Sequence, residues 1–220
     1  MPHGSLSIPA RLCLLAWDPT GAEAADAAHL VRAGALAELA RRGLLTDEDG
    51  IATPVDMDSL TGDAPLDGLL ELVRESRPHP WRAWVPLHAR VTADAVREQL
   101  TAEGWLRAEK KRVLGVFPSV EHVLERTDAV ETLREEARQV WEGVAQVSGA
   151  SGADAAVVAL AVAGGVRGVV GDGGREGRRE RYRARVEELV GLSGESWVLG
   201  ELVAALGAEL RVTGADRSGR

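Results

Sequence analysis

The chain has 220 residues, 45% of them hydrophobic, which is enough apolar material to bury one full core. Its 34 acidic and 26 basic residues give a formal net charge of −8. This acidic balance argues against a nucleic-acid surface spread over the whole molecule, although it leaves room for a local basic patch.

Cysteine usage and the lack of targeting segments indicate the compartment. Cys13 is the single cysteine, so no intrachain disulfide can form, and a reducing compartment is expected. Residues 1–11 lack the pattern of a secretory signal and are predicted to be an N-terminal extension. The longest apolar run, residues 155–166, falls short of the roughly 20 residues that span a bilayer. We therefore expect a cytoplasmic protein that can only lie peripherally on the inner face of a membrane.

The first half of the chain predicts helices separated by short strands. A strand is predicted at residues 12–17, with Cys13 buried in it, and then a helix at residues 23–42 that ends at Gly43. Four further elements are expected: an edge strand that ends at Pro54, a helix at residues 66–74, a helical piece with Trp81 and Trp84 in the core, and a helix capped by Thr92 that ends near Glu103.

Two segments of this half resemble each other. Residues 35–54 and 96–118 align without gaps, and each reads as a helix, a glycine stop, a charged turn and a strand that ends near proline. The identities are Leu39 with Leu100, Gly43 with Gly104, Leu45 with Leu106 and Glu48 with Glu109.

The second half of the chain predicts helices only. Apolar residues recur at helical spacing over residues 128–146, 154–166, 175–190 and 195–208, and residues 209–220 are expected to form a disordered tail. The predicted fold is mainly α, a single-domain helical bundle with one or two short β-hairpins.

Motifs for catalysis, cofactors and metals do not match this sequence. Neither lysine lies in a phosphate-binding loop, and the five histidines lack metal-ligand spacing. The stretch GLSGE at residues 191–195 has glutamate where a nucleophile elbow needs glycine. We therefore predict no enzyme, no catalytic residue, no metal and no cofactor.

Five blocks, in order, carry a family resemblance: LCLLAWDPTG, RAGALAELARRGLL, LTGDAPLDGLLELV, LTAEGWLRAEKKRVLGVFP and GRRERYRARVEELV. Together they resemble the Golgi phosphoprotein 3 family, including its prokaryotic branch, and predict one domain at residues 12–208. The low lysine content, two among 26 basic residues, is typical of a GC-rich bacterial genome, which fits the prokaryotic branch. The resemblance implies a mostly helical peripheral membrane protein that binds phosphatidylinositol 4-phosphate and, in eukaryotes, acts as an adaptor.

The resemblance also implies a site for the lipid head group. The family combines a tryptophan, an arginine in the first long helix, and two arginines one turn apart in a later helix. Arg32 and Arg90 match two of the arginines, while Glu23 and Ala93 stand where the tryptophan and the third arginine are expected. Arg97, one turn further, is the candidate substitute. The predicted ligand is therefore phosphatidylinositol 4-phosphate or another anionic head group.

The helical pattern itself sets Arg32 apart. Arg32 falls on the same helix face as Leu36 and Leu39, so a permanent charge interrupts an apolar stripe. A charge in that place needs a partner. The partner is either an acidic residue of a neighbouring helix or a phosphate, and the sequence does not decide between them.

A basic cluster lies beside an apolar run in residues 106–118. In the family this hairpin is associated with membrane contact and self-association, and the residues assigned to contact here are Lys110, Lys111, Arg112, Val113, Leu114 and Phe117. Near an anionic leaflet each basic residue adds about 1 kcal/mol. The alternative is that the apolar residues cap the protein's own core and that the lysines form a solvated turn.

Two other classes of function stay open. A helix followed by a hairpin also resembles part of a winged-helix module, with residues 109–112 as wing tip, and residues 175–185 add a second basic stretch. The acidic net charge argues against nucleic acid as a partner. The third class is a protein-interaction scaffold that does not bind lipid.

Overall fold

The computed structural model describes residues 6–17, 27–113, 117–143, 151–166, 168–169 and 178–218. Within these ranges the fold is mainly α-helical, with two small antiparallel sheets of two strands each, as predicted. The elements are α1 Ile8–Leu15, α2 Ala27–Arg41, β1 Leu45–Glu48, β2 Ile51–Pro54, α3 Ala64–Glu75, α4 Trp81–Trp84, α5 Ala89–Ala102, β3 Leu106–Val113, β4 Phe117–Leu124, α6 Thr127–Glu142, α7 Gly152–Ala163, α8 Arg178–Leu192 and α9 Ser196–Ser218.

The core is built around α1, α2 and α7, which are buried almost all round. Residues 30–40 of α2 and 154–163 of α7 are buried without interruption, as expected for helices at the centre of a bundle. Gly34 lets α1 cross α2 closely, because a β-carbon there would lie 2.5 Å from the Leu12 Cδ1 atom and 3.2 Å from the Pro9 Cα atom. The remaining helices pack around this centre.

The first predicted element is wrong in type. Residues 12–17 were expected to form a strand, but α1 is a helix that begins at Ile8, so it also takes in part of the predicted extension at residues 1–11. All of its residues except Arg11 are apolar, and a short run of this kind has no periodicity that separates a buried strand from a buried helix. Cys13 is fully buried, as expected, but in a helix.

Most of the later elements match their predictions in type. Both tryptophans of α4 are fully buried, and each of the four predicted C-terminal helices is present with shifted ends. The tail expected at residues 209–220 differs from the structure, because α9 continues as a helix to Ser218. Residues 23–26 of the second predicted element lie outside the described residues.

The internal similarity corresponds to two structural copies. In both, a glycine with positive φ, Gly43 at 69° and Gly104 at 73°, ends a helix and leads into an antiparallel hairpin. The β1–β2 hairpin pairs four residues on each strand, whereas the β3–β4 hairpin pairs eight. The hairpin of the second copy is therefore longer, and it extends further from its glycine than the hairpin of the first copy.

An ion pair joins the middle of α1 to the start of α7. Arg11 donates to Asp154 at 2.7 Å, and Asp154 also accepts from the backbone and hydroxyl of Ser151, with which it forms a capping box. Burial raises the pKa of Asp154, but the hydrogen bonds from Ser151 and the charge of Arg11 outweigh it, so the pKa lies below its ordinary value of 3.8.

This lowered pKa predicts acid sensitivity at the α1–α7 junction. The stabilisation from Asp154 is complete above its ordinary pKa and is lost as the pH falls through the lower folded value. We expect Asp154→Asn to reduce the free energy of unfolding by about 1–2 kcal/mol at neutral pH, and the difference from the parent to shrink below about pH 4. Urea unfolding at several pH values measures this difference.

The matched control is Glu135→Gln, because Glu135 pairs with Arg138 on the surface at 3.1 Å. Exposed pairs of this kind contribute about 0–1 kcal/mol, so the control changes little at any pH. A cost of Asp154→Asn that stays constant down to acid pH would contradict the assigned role.

Candidate functional site

Arg32 is a buried cation that is held by protein oxygens. The residue is 1% exposed, and its guanidinium donates three hydrogen bonds from the middle of α2 to the region around the α4–α5 turn. Nε donates to the Trp84 carbonyl at 3.1 Å, one terminal nitrogen to the Thr92 hydroxyl at 2.6 Å, and the other to the Leu87 carbonyl. The side chain therefore ties α2 to the last residue of α4, the turn after it and the first turns of α5.

The acidic partner that the sequence left open for Arg32 is not found. No described residue places a carboxylate in an ion pair with Arg32. Burial lowers the pKa of Arg32 to about 10, so the guanidinium stays charged at neutral pH. Its charge is balanced by carbonyl and hydroxyl dipoles rather than by an anion of the described structure.

Thr92 has a different role from the one predicted. It was expected to cap α5, but the helix begins three residues earlier at Ala89, and Thr92 is buried inside it, 4% exposed. Its hydroxyl oxygen accepts from Arg32. The residue at the cap position is His88, which has a left-handed backbone with φ of 53°.

The three predicted arginines occupy different environments. Arg90 is exposed in the first turn of α5, and its side chain forms no hydrogen bond or ion pair with a described residue. Arg97 is half-buried and pairs with Asp94 at 2.7 Å. Ala93, which stands at the position of the third arginine, is fully buried. We call residues 84–92 the α4–α5 corner. Arg90 belongs to this corner, and Arg32 of α2 is bound to it, because the acceptors Leu87 and Thr92 flank Arg90 in the chain.

The α4–α5 corner also exposes an apolar side chain. Val91, next to Arg90, is 66% exposed, although valine is usually buried. No side chain caps the N-terminus of α5, where the helix dipole favours a negative charge. The corner thus combines a cation without an acidic partner among the described residues, an exposed apolar side chain and a helix N-terminus.

The β3–β4 hairpin is buried at its base and leaves the core further along. Trp105 and Leu106 are buried, and Arg126 stacks over the Trp105 ring at 4.8 Å. Beyond the base, Arg107 is exposed and Val120 is 57% exposed. The residues of the predicted membrane contact lie in the distal part of this hairpin.

The backbone register fixes where the basic cluster lies. Lys110 pairs with Val120, Arg112 with Pro118, and Val113 with Phe117, so Val113 is the one residue of β3 between the three basic residues and the connection. The side chains of residues 110–113 and of Phe117, and Leu114 as a whole, lie outside the described residues. The predicted contact of these side chains stays a prediction.

One of the predicted basic surface residues is structural. Arg185 belongs to the stretch at residues 175–185, but its guanidinium donates to the Val140 carbonyl at 2.5 Å and to the Trp141 carbonyl at 3.0 Å. These carbonyls belong to the last turn of α6, whose carbonyls lack helical partners. Arg185 therefore joins α8 to α6.

Two acidic residues, one in β1 and one in the loop after β2, accept hydrogen bonds from their own chain. Asp47 accepts from the indole nitrogen of Trp81 at 2.7 Å, and Asp56 accepts from the backbone of Asp58 and Ser59. In the part of the chain that the structure describes, no group of three histidine, cysteine, aspartate or glutamate side chains is arranged to hold a metal ion.

A family model described as Golgi phosphoprotein 3 (GPP34) matches residues 8–208. The chain belongs to the Golgi phosphoprotein 3 family. The match begins at the first residue of α1 and ends within α9, so it takes in both hairpins and the α4–α5 corner. A search of the curated proteins finds no match. Among the described residues, no helix is long and apolar enough to cross a membrane.

The sequence of this Golgi phosphoprotein 3 family member did not reveal which groups accept hydrogen bonds from Arg32. Two of them, the carbonyls of Trp84 and Leu87, are backbone atoms, and no side-chain pattern reveals them. Thr92 is visible in the sequence, but its position near a helix start suggested a cap instead.

Proposed function

We propose that this Golgi phosphoprotein 3 family member is a peripheral, non-catalytic protein that binds anionic phospholipid head groups on the inner face of a membrane. Lipid binding is the kind of function known for the family. Phosphatidylinositol 4-phosphate is the proposed ligand, with other anionic phospholipids as weaker ones. The observation that carries the proposal is Arg90, an exposed cation that forms no ion pair with a described carboxylate.

The chemistry of the α4–α5 corner suits a phosphate group. A guanidinium offers two parallel donors to phosphate oxygens, and such charge-assisted bonds are about twice as strong as neutral ones. The N-terminus of α5 adds a favourable dipole over its first turn. Val91 would enter the boundary between head groups and acyl chains when Arg90 reaches a phosphate, which favours a lipid over a phosphate free in solution.

The β3–β4 hairpin supplies the second proposed contact. Lys110, Lys111 and Arg112 are consecutive in β3 and lie away from the buried base of the hairpin. At about 1 kcal/mol for each basic residue near an anionic leaflet, the cluster alone supports only weak and reversible docking. Stable docking needs the corner as well, or several copies joined through the hairpin at residues 106–118.

Binding to vesicles in competition with DNA tests the proposal. We expect the protein to sediment with vesicles that contain phosphatidylserine and to stay in solution with neutral phosphatidylcholine vesicles. Raising the salt should weaken the binding, because exposed charges are screened over about 8–10 Å at moderate ionic strength. Duplex DNA at the same salt should compete poorly.

The other outcomes identify the other classes of function. Preferential binding to DNA would contradict the proposal and favour the winged-helix alternative. Binding to neither ligand would leave a protein-interaction scaffold. Measuring all ligands at equal salt is necessary, because electrostatic affinities depend steeply on ionic strength.

A further inference from the structure

The three hydrogen bonds of Arg32 converge on the segment that leads into the α4–α5 corner. Trp84 is the last residue of α4, Leu87 lies in the turn, and Thr92 lies in the second turn of α5. One planar guanidinium therefore fixes the segment before the turn, within it and after it. A lysine has a single ammonium and cannot reproduce this fork.

The turn needs such a fixed support because of its backbone. His88 adopts φ of 53°, a left-handed conformation that is unfavourable for a residue with a side chain and that persists only where the surroundings impose it. No side chain of His88 itself caps the helix. The bonds of Arg32 to Leu87 and Thr92 lie on either side of this strained residue.

The direction of the α4–α5 corner depends on the same turn. Arg90 and Val91 follow His88 by two and three residues. A change of the His88 backbone would therefore change the direction in which both side chains leave the corner. Arg32 itself is 1% exposed and already bonded to protein at each of its three nitrogens. Its remaining N–H groups are buried with it, so a phosphate at the surface could reach them only if the surrounding side chains moved.

From this geometry we propose that Arg32 is a positioning residue and not a head-group ligand: it locks the α4–α5 turn so that Arg90 meets the phosphate. This role rests on the proposed lipid binding. Arg90 then contacts the phosphate and Arg32 positions the turn, although the family resemblance placed both arginines in the head-group site.

Thr92→Val separates positioning from direct contact. The substitution keeps the shape of the side chain and removes an acceptor of Arg32 without touching an exposed group. If Arg32 positions the turn, Thr92→Val loosens it and lowers the preference for the correct head group. If Arg32 is instead a ligand held back by the protein, Thr92→Val frees it, and the preference stays the same or rises.

The experiment measures one ratio for each variant. Binding is compared between vesicles with phosphatidylinositol 4-phosphate and vesicles of equal surface charge with phosphatidylserine. For Thr92→Val we expect this ratio to fall about 3- to 10-fold, with binding to phosphatidylserine unchanged. Thr101→Val is the matched control, because Thr101 lies on the same helix and donates only to the Arg97 carbonyl, at 2.7 Å.

Arg32→Lys gives a second test that keeps the charge. We expect it to lower the ratio in the parent background and to have no further effect on the ratio in an Arg90→Ala background, since positioning acts through Arg90. An equal loss in both backgrounds would show direct contact and overturn the proposal. Hydrogen exchange of the amides at residues 85–91 should be faster in both Arg32→Lys and Thr92→Val.

The outcomes distinguish this role from the proposed function. If the parent binds no anionic vesicle, or shows no preference between the two lipids, head-group recognition fails and the positioning role fails with it. If the parent prefers phosphatidylinositol 4-phosphate and Thr92→Val keeps that preference, only the positioning role is overturned.

Discussion

Arg32→Met should reduce the free energy of unfolding by about 2–4 kcal/mol. The substitution keeps most of the apolar stem but leaves the Trp84 carbonyl, the Leu87 carbonyl and the Thr92 hydroxyl without their donor. A buried polar group that loses its partner costs about 1–3 kcal/mol. Removing a desolvated charge offsets part of this cost, because burial alone already lowers the pKa of Arg32 to about 10.

Thermal and urea unfolding of the purified variant measure this cost. In a chain of this length each kcal/mol corresponds to about 2–4 °C in Tm. The matched control is Arg90→Ala, which removes an exposed arginine from the same corner and should change stability by less than about 0.5 kcal/mol. Equal stability of Arg32→Met and the parent would contradict the three-acceptor arrangement.

Neutralising the basic cluster of the β3–β4 hairpin should have the largest effect on membrane binding. The triple variant Lys110→Gln, Lys111→Gln and Arg112→Gln loses three cations. We propose that these cations lie near the anionic leaflet. At about 1 kcal/mol for each, the partition coefficient on phosphatidylserine vesicles should fall about 100-fold. The loss should be similar for every anionic lipid, since these side chains contribute charge rather than fit. Vesicle sedimentation over a range of lipid concentrations gives the coefficient.

A control variant must carry the same change in net charge. Arg77→Gln, Arg138→Gln and Arg183→Gln together remove three cations from the loop before α4, from α6 and from α8. This control should weaken binding only slightly, because screening limits the reach of exposed charges to about 8–10 Å. An equal loss in both triple variants would show that net charge, and not the hairpin, governs the binding.

The fold class followed from the sequence because the helices at the surface are amphipathic. Glycine stops at Gly43 and Gly104 also gave the ends of two helices and the start of both hairpins. The exception was α1, since a helix that is buried on every side has lost the periodicity by which it is recognised. The continuation of α9 to Ser218 was missed for the opposite reason, because a polar segment lacks an apolar stripe.

The candidate site was predictable only in part. The position of Arg32 on an apolar face already showed that it needs a partner, and the structure confirms that it is buried. The identity of the partners could not be predicted, because two of the three are backbone carbonyls brought close by the fold. The exposure of Arg90 was likewise beyond the sequence, since it depends on where the left-handed His88 starts α5.

We propose that this protein docks reversibly on anionic membranes through a small number of basic residues. The most direct measurement is the partition coefficient of the parent protein on phosphatidylserine vesicles as the salt concentration is raised, with phosphatidylcholine vesicles as the reference. We expect binding that exceeds the reference at low salt and decreases steadily towards it as salt screens the contacts. Binding that equals the reference at every salt concentration would contradict the claim.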